Sequence, residues 1–142
     1  MTPRTSILEH LCLSEKTAVA IGNAANLNFL KNKCLTLVLD GFAAANDSVT
    51  IKVQGSNADT EPDWDAQTPL KRWSYINLVN EEDQSDTIAG ATGITKTGVA
   101  VDGVYNYAIN TNSFKWVNVE ITAYVGNTAT KTVTAYLSAN NG

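Results

Sequence analysis

The chain has 142 residues, room for about one domain, and at that size folding buries about 68% of the unfolded surface, enough for a core without metal or disulfide staples. Only 17% of residues are charged and the net charge is −4, which excludes the positive field a nucleic-acid binder relies on. No window approaches the roughly 20 apolar residues of a membrane-spanning helix.

The polar surface must come from neutral side chains, and the chain carries 17 Thr and 15 Asn. At the N-terminus, Glu9 and His10 interrupt the apolar residues Ile7, Leu8 and Leu11, so the segment does not read as a secretion signal. The expectation is a chain made and folded in a cytoplasm. Residues 1–16 read as an N-terminal arm, a first strand or a short helix. Ser6 and Glu9 have capping-box spacing for a short helix, while Leu11 and Leu13 alternate about Cys12 as in a strand; both readings fit. Cys12 and Cys34 are too far apart for a redox pair or a zinc site and read as unpaired small hydrophobes.

From residue 17 the chain reads as one domain, 17–142, built of strands. Weak strand character at 17–21 is followed by Leu35, Leu37 and Leu39, backed by Thr36 and Val38, which suits a central strand. Val49, Ile51 and Val53 then alternate with Thr50 and Lys52. Such period-two patterns place successive side chains on opposite faces of a sheet. Residues 57–71 hold Pro62, Pro69 and four acids and read as a long surface loop. Strands are expected at 73–79 and around 87–97, where Gly90 and Gly93 permit bends. Another is expected at 104–109, with Tyr105, Tyr107 and Ile109 on one face.

The strongest alternation runs over 115–125. Val117, Val119, Ile121, Ala123 and Val125 share one face, with Trp116, Asn118, Glu120, Thr122 and Tyr124 on the other. A last strand carries Val133, Ala135 and Leu137 against Thr132, Thr134 and Tyr136. Turn residues punctuate the series at 45–47, 101–103, 110–113 and 126–127. About eight strands at this spacing predict an all-β fold: a single antiparallel, jelly-roll-like β-sandwich with a short N-terminal arm.

Candidate chemistry is sparse. His10 is the single histidine, so any Ser-His-Asp or Cys-His arrangement would have to use it, and there is no phosphate loop, dinucleotide fingerprint or HExxH. Asp59, Glu61, Asp63 and Asp65, and separately Glu81, Glu82, Asp83 and Asp86, offer clustered oxygens. Their spacing lacks the EF-hand glycine and ligand pattern, so solvated loops are expected rather than calcium sites. Glu120 has no identifiable carboxylate mate for glycoside hydrolysis. The reading is no catalytic residue, no cofactor and no metal. Aromatic side chains are the more informative group: Trp64, Trp73, Tyr75, Trp116, Tyr124 and Tyr136 are candidate contacts for a protein partner or a glycan.

Several stretches taken together carry a resemblance. They are Val49-Thr-Ile-Lys-Val-Gln-Gly-Ser56, the Pro62-Asp-Trp-Asp-Ala loop, Trp73-Ser-Tyr-Ile-Asn-Leu and Ile88-Ala-Gly-Ala-Thr-Gly-Ile94. Tyr107-Ala-Ile-Asn-Thr-Asn112, Phe114-Lys-Trp-Val-Asn-Val-Glu-Ile-Thr-Ala123 and the terminal Val133-Thr-Ala-Tyr-Leu complete the set. Over residues 17–138 this order resembles the small β-sandwich virion proteins of tailed bacteriophages, the capsid auxiliary or decoration proteins. The resemblance implies a non-enzymatic structural protein located in the virion. Its partners would be the major capsid protein or other virion subunits, and it would be a homo-oligomer, with a trimer as one form. The competing expectation is a carbohydrate-binding module or tail-associated adhesin using Trp64, Trp73 and Tyr75.

Overall fold

The computed structural model describes residues 7–27, 30–109 and 114–140, with the backbone alone of Ile7. Residues 1–6, with Ser6 of the capping-box spacing, and the turn at 110–113 lie outside the described residues. Every described element is a strand: β1 Ile7–Lys16, β2 Ala20–Ile21, β3 Ala25–Asn26, β4 Lys31–Asp40, β5 Ser48–Ser56, β6 Ser74–Tyr75, β7 Leu78–Asn80, β8 Thr87–Ile88, β9 Ile94–Thr97, β10 Gly103–Ile109, β11 Trp116–Val125 and β12 Thr132–Asn140.

All pairings are antiparallel, in two sheets. The first runs β1-β12-β4-β10-β7-β8; in the second, β2 and β3 flank β11, which pairs with β5, which pairs with β6 and β9. The chain alternates between sheets, the first strand lying beside the last and the last beside β4, which is a jelly-roll order. Twelve strands stand where about eight are expected because the edges are broken. The 73–79 segment gives β6 to one sheet and β7 to the other, and the 87–97 segment likewise splits into β8 and β9. Over 7–16 the N-terminal segment takes the strand alternative rather than the free arm or short helix: β1 is an edge strand paired with β12 from Ile7↔Asn140 to Lys16↔Val133.

The core fills the space between sheets as alternation requires. Leu35, Leu37 and Leu39 of β4, and Val133, Ala135 and Leu137 of β12, meet Val49, Ile51 and Val53 of β5 and Val117, Val119 and Ile121 of β11. Each is essentially inaccessible, and burying a side chain of this size contributes roughly 1.5–3 kcal/mol.

Two register slips change which side chains face inward. Along β11, Ile121 pairs with Ile51 but Ala123 pairs with Thr50, so Thr122 is an extra residue. An extra residue reverses the phase of everything after it. Tyr124 therefore pairs with Val49 and packs on the core, while Val125 is 54% exposed. This corrects the expectation that Val125 shares the apolar face and Tyr124 the polar one. In β1 the same device at Cys12 separates Leu11, 44% exposed opposite Tyr136, from Leu13, buried opposite Ala135.

Candidate interaction surface

Of the two outward sheet faces, the one on β5 and β11 is partly covered by the chain itself. Gln54 and Asn118 are direct cross-strand neighbours on that face, yet both are buried. The 57–73 segment lies over Gln54, while Asn118 Oδ1 accepts from the Cys12 thiol of β1 at 3.1 Å; the segment is held by hydrogen bonds to its main-chain carbonyls. Gln54 Nε2 donates to the Trp64 carbonyl at 3.0 Å, and Trp116 Nε1 donates to the Ala58 carbonyl at 3.1 Å. Trp73 Nε1 donates to the Ala66 carbonyl at 3.2 Å, and Ser56 Oγ donates to the Arg72 carbonyl at 2.6 Å. Trp64 and Trp73 are each only 7% exposed, so a large part of their role is to fasten this loop.

Tyr75 lies next along the same face. Its ring meets Trp73 edge-on at 5.0 Å, and its hydroxyl donates to Glu120 Oε1 at 2.8 Å. Burial, with the hydrogen bond and charge of Glu120 adding to it, pushes the Tyr75 phenol up to about 12. Lys71 Nζ sits 4.1 Å from the Trp73 ring centre, and Lys52 Nζ sits 4.8 Å from that of Tyr75. These ring faces hold ammonium groups rather than an open platform for a sugar. Tyr124, turned inward, donates its hydroxyl to the Lys131 carbonyl at 2.5 Å.

Tyr136 is different. It stands on the outward face of β12 in the other sheet, within three cross-strand rows: Val104–Val38–Thr134, Asn106–Thr36–Tyr136–Leu11 and Ala108–Cys34–Ser138–Glu9. None of these residues is buried. Glu9, at the edge, is the only ionised side chain among them, and Thr36 Oγ1 donates to Asn106 Oδ1 at 2.8 Å. An aromatic centre, neutral hydrogen-bonding groups and little charge are the composition of a protein–protein contact core. Sequence reasoning picks out Tyr136 but not its row partners, because registers among β1, β12, β4 and β10 join residues remote in the chain. The sandwich thus brings Trp64, Trp73, Tyr75 and Trp116 to one sheet and Tyr136 to the other, and packs a partly buried Tyr124 against the core.

Several other titratable groups make local contacts. His10 Nε2 lies 2.8 Å from the Asn23 carbonyl oxygen. Asp63 Oδ1 accepts the Asp65 N–H and Asp83 Oδ1 the Ser85 N–H, ordinary turn hydrogen bonds. Among the described residues no three His, Cys, Asp or Glu side chains are placed to hold a metal ion. Cys12 is buried and Cys34 half-buried, both as free thiols. Cys34 donates to Glu81 Oε1 at 3.1 Å.

No family model matches the chain, and no curated protein is similar to it at a significant level. Among solved structures, the chain is similar to the crystal structure of SPBc2 prophage-derived protein YomS, with a TM-score of 0.57 and 11% sequence identity. The match covers 99% of this chain and 97% of that one. At this identity the likeness is one of fold, extending from end to end of both chains.

Proposed function

We propose that this protein is a non-enzymatic structural component of a bacteriophage particle, an auxiliary or decoration protein that binds capsid subunits and stabilises the head lattice. The end-to-end fold likeness to a prophage-derived protein carries the reading. The open face around Tyr136 supports it: a nearly uncharged sheet surface with an aromatic centre and neutral hydrogen-bonding groups suits another folded subunit. Repeated copies on a lattice turn weak individual contacts into firm attachment through effective concentration.

The test is binding of the purified chain to assembled capsids of its source phage, followed by co-sedimentation. Saturable binding is expected, reduced at least about tenfold by Tyr136→Ala, as for a central aromatic contact. Absence of the protein from purified particles, together with no capsid binding, would overturn the reading. The glycan-binding alternative draws less support, since Trp64 and Trp73 are buried and Lys71 lies over Trp73. A glycan-array signal lost on Trp73→Ala would restore it.

A further inference from the structure

Residues 57–73 lie over Gln54 without forming a strand of their own. Loops without secondary structure seldom exceed about 12–15 residues, and longer ordered ones are usually functional. Among the described residues no backbone hydrogen bond joins 59–71 to either sheet. The N–H groups of Asp65, Ala66 and Leu70 bond within the segment itself. The sandwich grips the carbonyls of Trp64, Arg72 and Ala58 through the side chains of Gln54, Ser56 and Trp116.

The loops at one end of the sandwich are fixed differently. Asp47 Oδ2 accepts the N–H groups of Ala43 at 2.9 Å and Ala44 at 2.8 Å, and Oδ1 accepts that of Thr128 at 2.9 Å. The Asp47 carbonyl accepts the Gly98 N–H at 2.9 Å. Those loops are tied through their own backbone; the 57–73 segment is not.

Of residues 57–73 only Trp64 and Trp73 are buried, and neither belongs to the contiguous core between the sheets. Such side chains form a satellite beneath a long loop, so lifting the segment leaves the contacts of the main core in place. Trp64 Nε1 and Gln54 Oε1 are buried with no hydrogen-bond partner among the described residues. An unpaired polar atom is costly to bury, and opening returns both to water. Gln54 and Ser56, which the segment grips, are polar, so uncovering them exposes little apolar surface.

From this geometry we infer that the 57–73 segment is a strap that opens as one unit on an intact sandwich and so gates the outward face of β5. A region with few buried apolar contacts opens at a lower free energy than the whole fold. Burial of the two indoles holds the strap closed; hydration of Trp64 Nε1 and Gln54 Oε1 favours the open form. Closed, the strap presents exposed Asp59, Glu61, Asp63 and Asp65. Open, it uncovers Gln54, Ser56 and the two indoles, so one face has two chemistries. The inference stands independently of the virion reading.

The three tryptophans of the chain report on the strap, since Trp64 and Trp73 lie in it and Trp116 bonds to it. Far-UV circular dichroism reports on the sheets. In a urea titration of the full chain, tryptophan emission should shift to longer wavelength at a lower midpoint than the loss of circular dichroism. Below the latter transition, trypsin should cut after Lys71 or Arg72 at a rate that follows the open population. Trp64→Ala should raise that rate at least about tenfold and leave the circular dichroism midpoint near that of wild type. Val119→Ala, in the inter-sheet core, should lower that midpoint. Coincident midpoints in the wild-type chain would overturn the inference. So would a Trp64→Ala chain that is cut no faster, or one that loses the native spectrum, because the sandwich should stand without its strap.

Discussion

Lys131 Nζ lies 3.8 Å from Asp47 Oδ1, and neither side chain has any solvent exposure. The ammonium also donates to the Thr128 carbonyl at 3.0 Å and sits 3.9 Å from the Tyr124 ring centre. Gly126, at φ +113°, passes so close that a Cβ there would lie 2.5 Å from Asp47 Cα. A buried pair gains little over an apolar one, but breaking it by removing one partner is costly. The two partners are unequal here. Asp47→Ala strands a buried ammonium and also releases three N–H donors, whereas Lys131→Met leaves the carboxylate still held by them. Urea unfolding should show Asp47→Ala as clearly the more destabilising change. Equal losses would mean that the ion pair, and not the backbone ties, holds the loops.

The same residue sets the acid limit. Desolvation opposes the Asp47 charge, but hydrogen bonds from Thr128, Ala43 and Ala44 outweigh it and hold the carboxyl below the usual range. A depressed folded value means the unfolded state binds the proton more readily. Its stabilisation is complete above the unfolded value of about 4 and is lost as pH falls below that. Thermal midpoints measured from pH 6 downward should drop below about pH 4. Asp47→Asn, weaker at neutral pH, should show a shallower drop; a parallel slope would place the acid sensitivity elsewhere.

The slip at Thr122 makes a sharp prediction for β11. Ile121 is 1% exposed and Val125 54%, although simple alternation puts them on one face. Ile121→Ala should cost about 2–5 kcal/mol through the cavity it leaves, and Val125→Ala less than about 0.5 kcal/mol. Tyr124→Phe should cost about 1 kcal/mol, from the hydroxyl that reaches the Lys131 carbonyl. Comparable losses at 121 and 125 would contradict the reversed phase.

These cases show what the sequence makes legible. Period two in β4, β5, β11 and β12 identifies the sandwich and most of its core, because a half-buried strand writes its faces into alternate residues. It does not reveal an inserted residue such as Thr122 or Cys12, since alternation read in one strand contains nothing about its partner's register. Nor does it show that the 73–79 segment leaves one sheet at Tyr75 and joins the other at Leu78, because both halves are apolar enough for either. The turn at 45–47 is readable from Asn46-Asp47, but Asp47's partners, Gly98, Thr128 and Lys131, come together only through strand pairing. The aromatic residues are conspicuous in composition, yet Trp64 and Trp73 are consumed by the loop they fasten.

Thiol chemistry supplies an alkaline counterpart. Burial pushes Cys12 up to about 12, partly opposed by a backbone hydrogen bond from Val119. Burial also raises Cys34 to about 12, with the hydrogen bond and charge of Glu81 adding to it. Both thiols are then protonated at pH 8, where an ordinary cysteine is already partly thiolate, the reactive form. Native protein should react with a disulfide reagent far more slowly than urea-unfolded protein, with Cys34 the faster of the two because it is only half-buried. Glu81→Gln removes the carboxylate that disfavours the Cys34 thiolate, so that thiol should react faster while Cys12 does not change. The linkage has the opposite sign to that of Asp47. A raised folded value gives stabilisation that is complete below the unfolded value of about 8.5 and is lost as pH rises toward 12. Replacing both cysteines by alanine should therefore flatten the fall in thermal midpoint between about pH 8.5 and 10, before the tyrosines begin to titrate. Rapid labelling of both thiols in the native chain at pH 8 would show that β1 and the start of β4 open far more readily than their pairing with β12 implies.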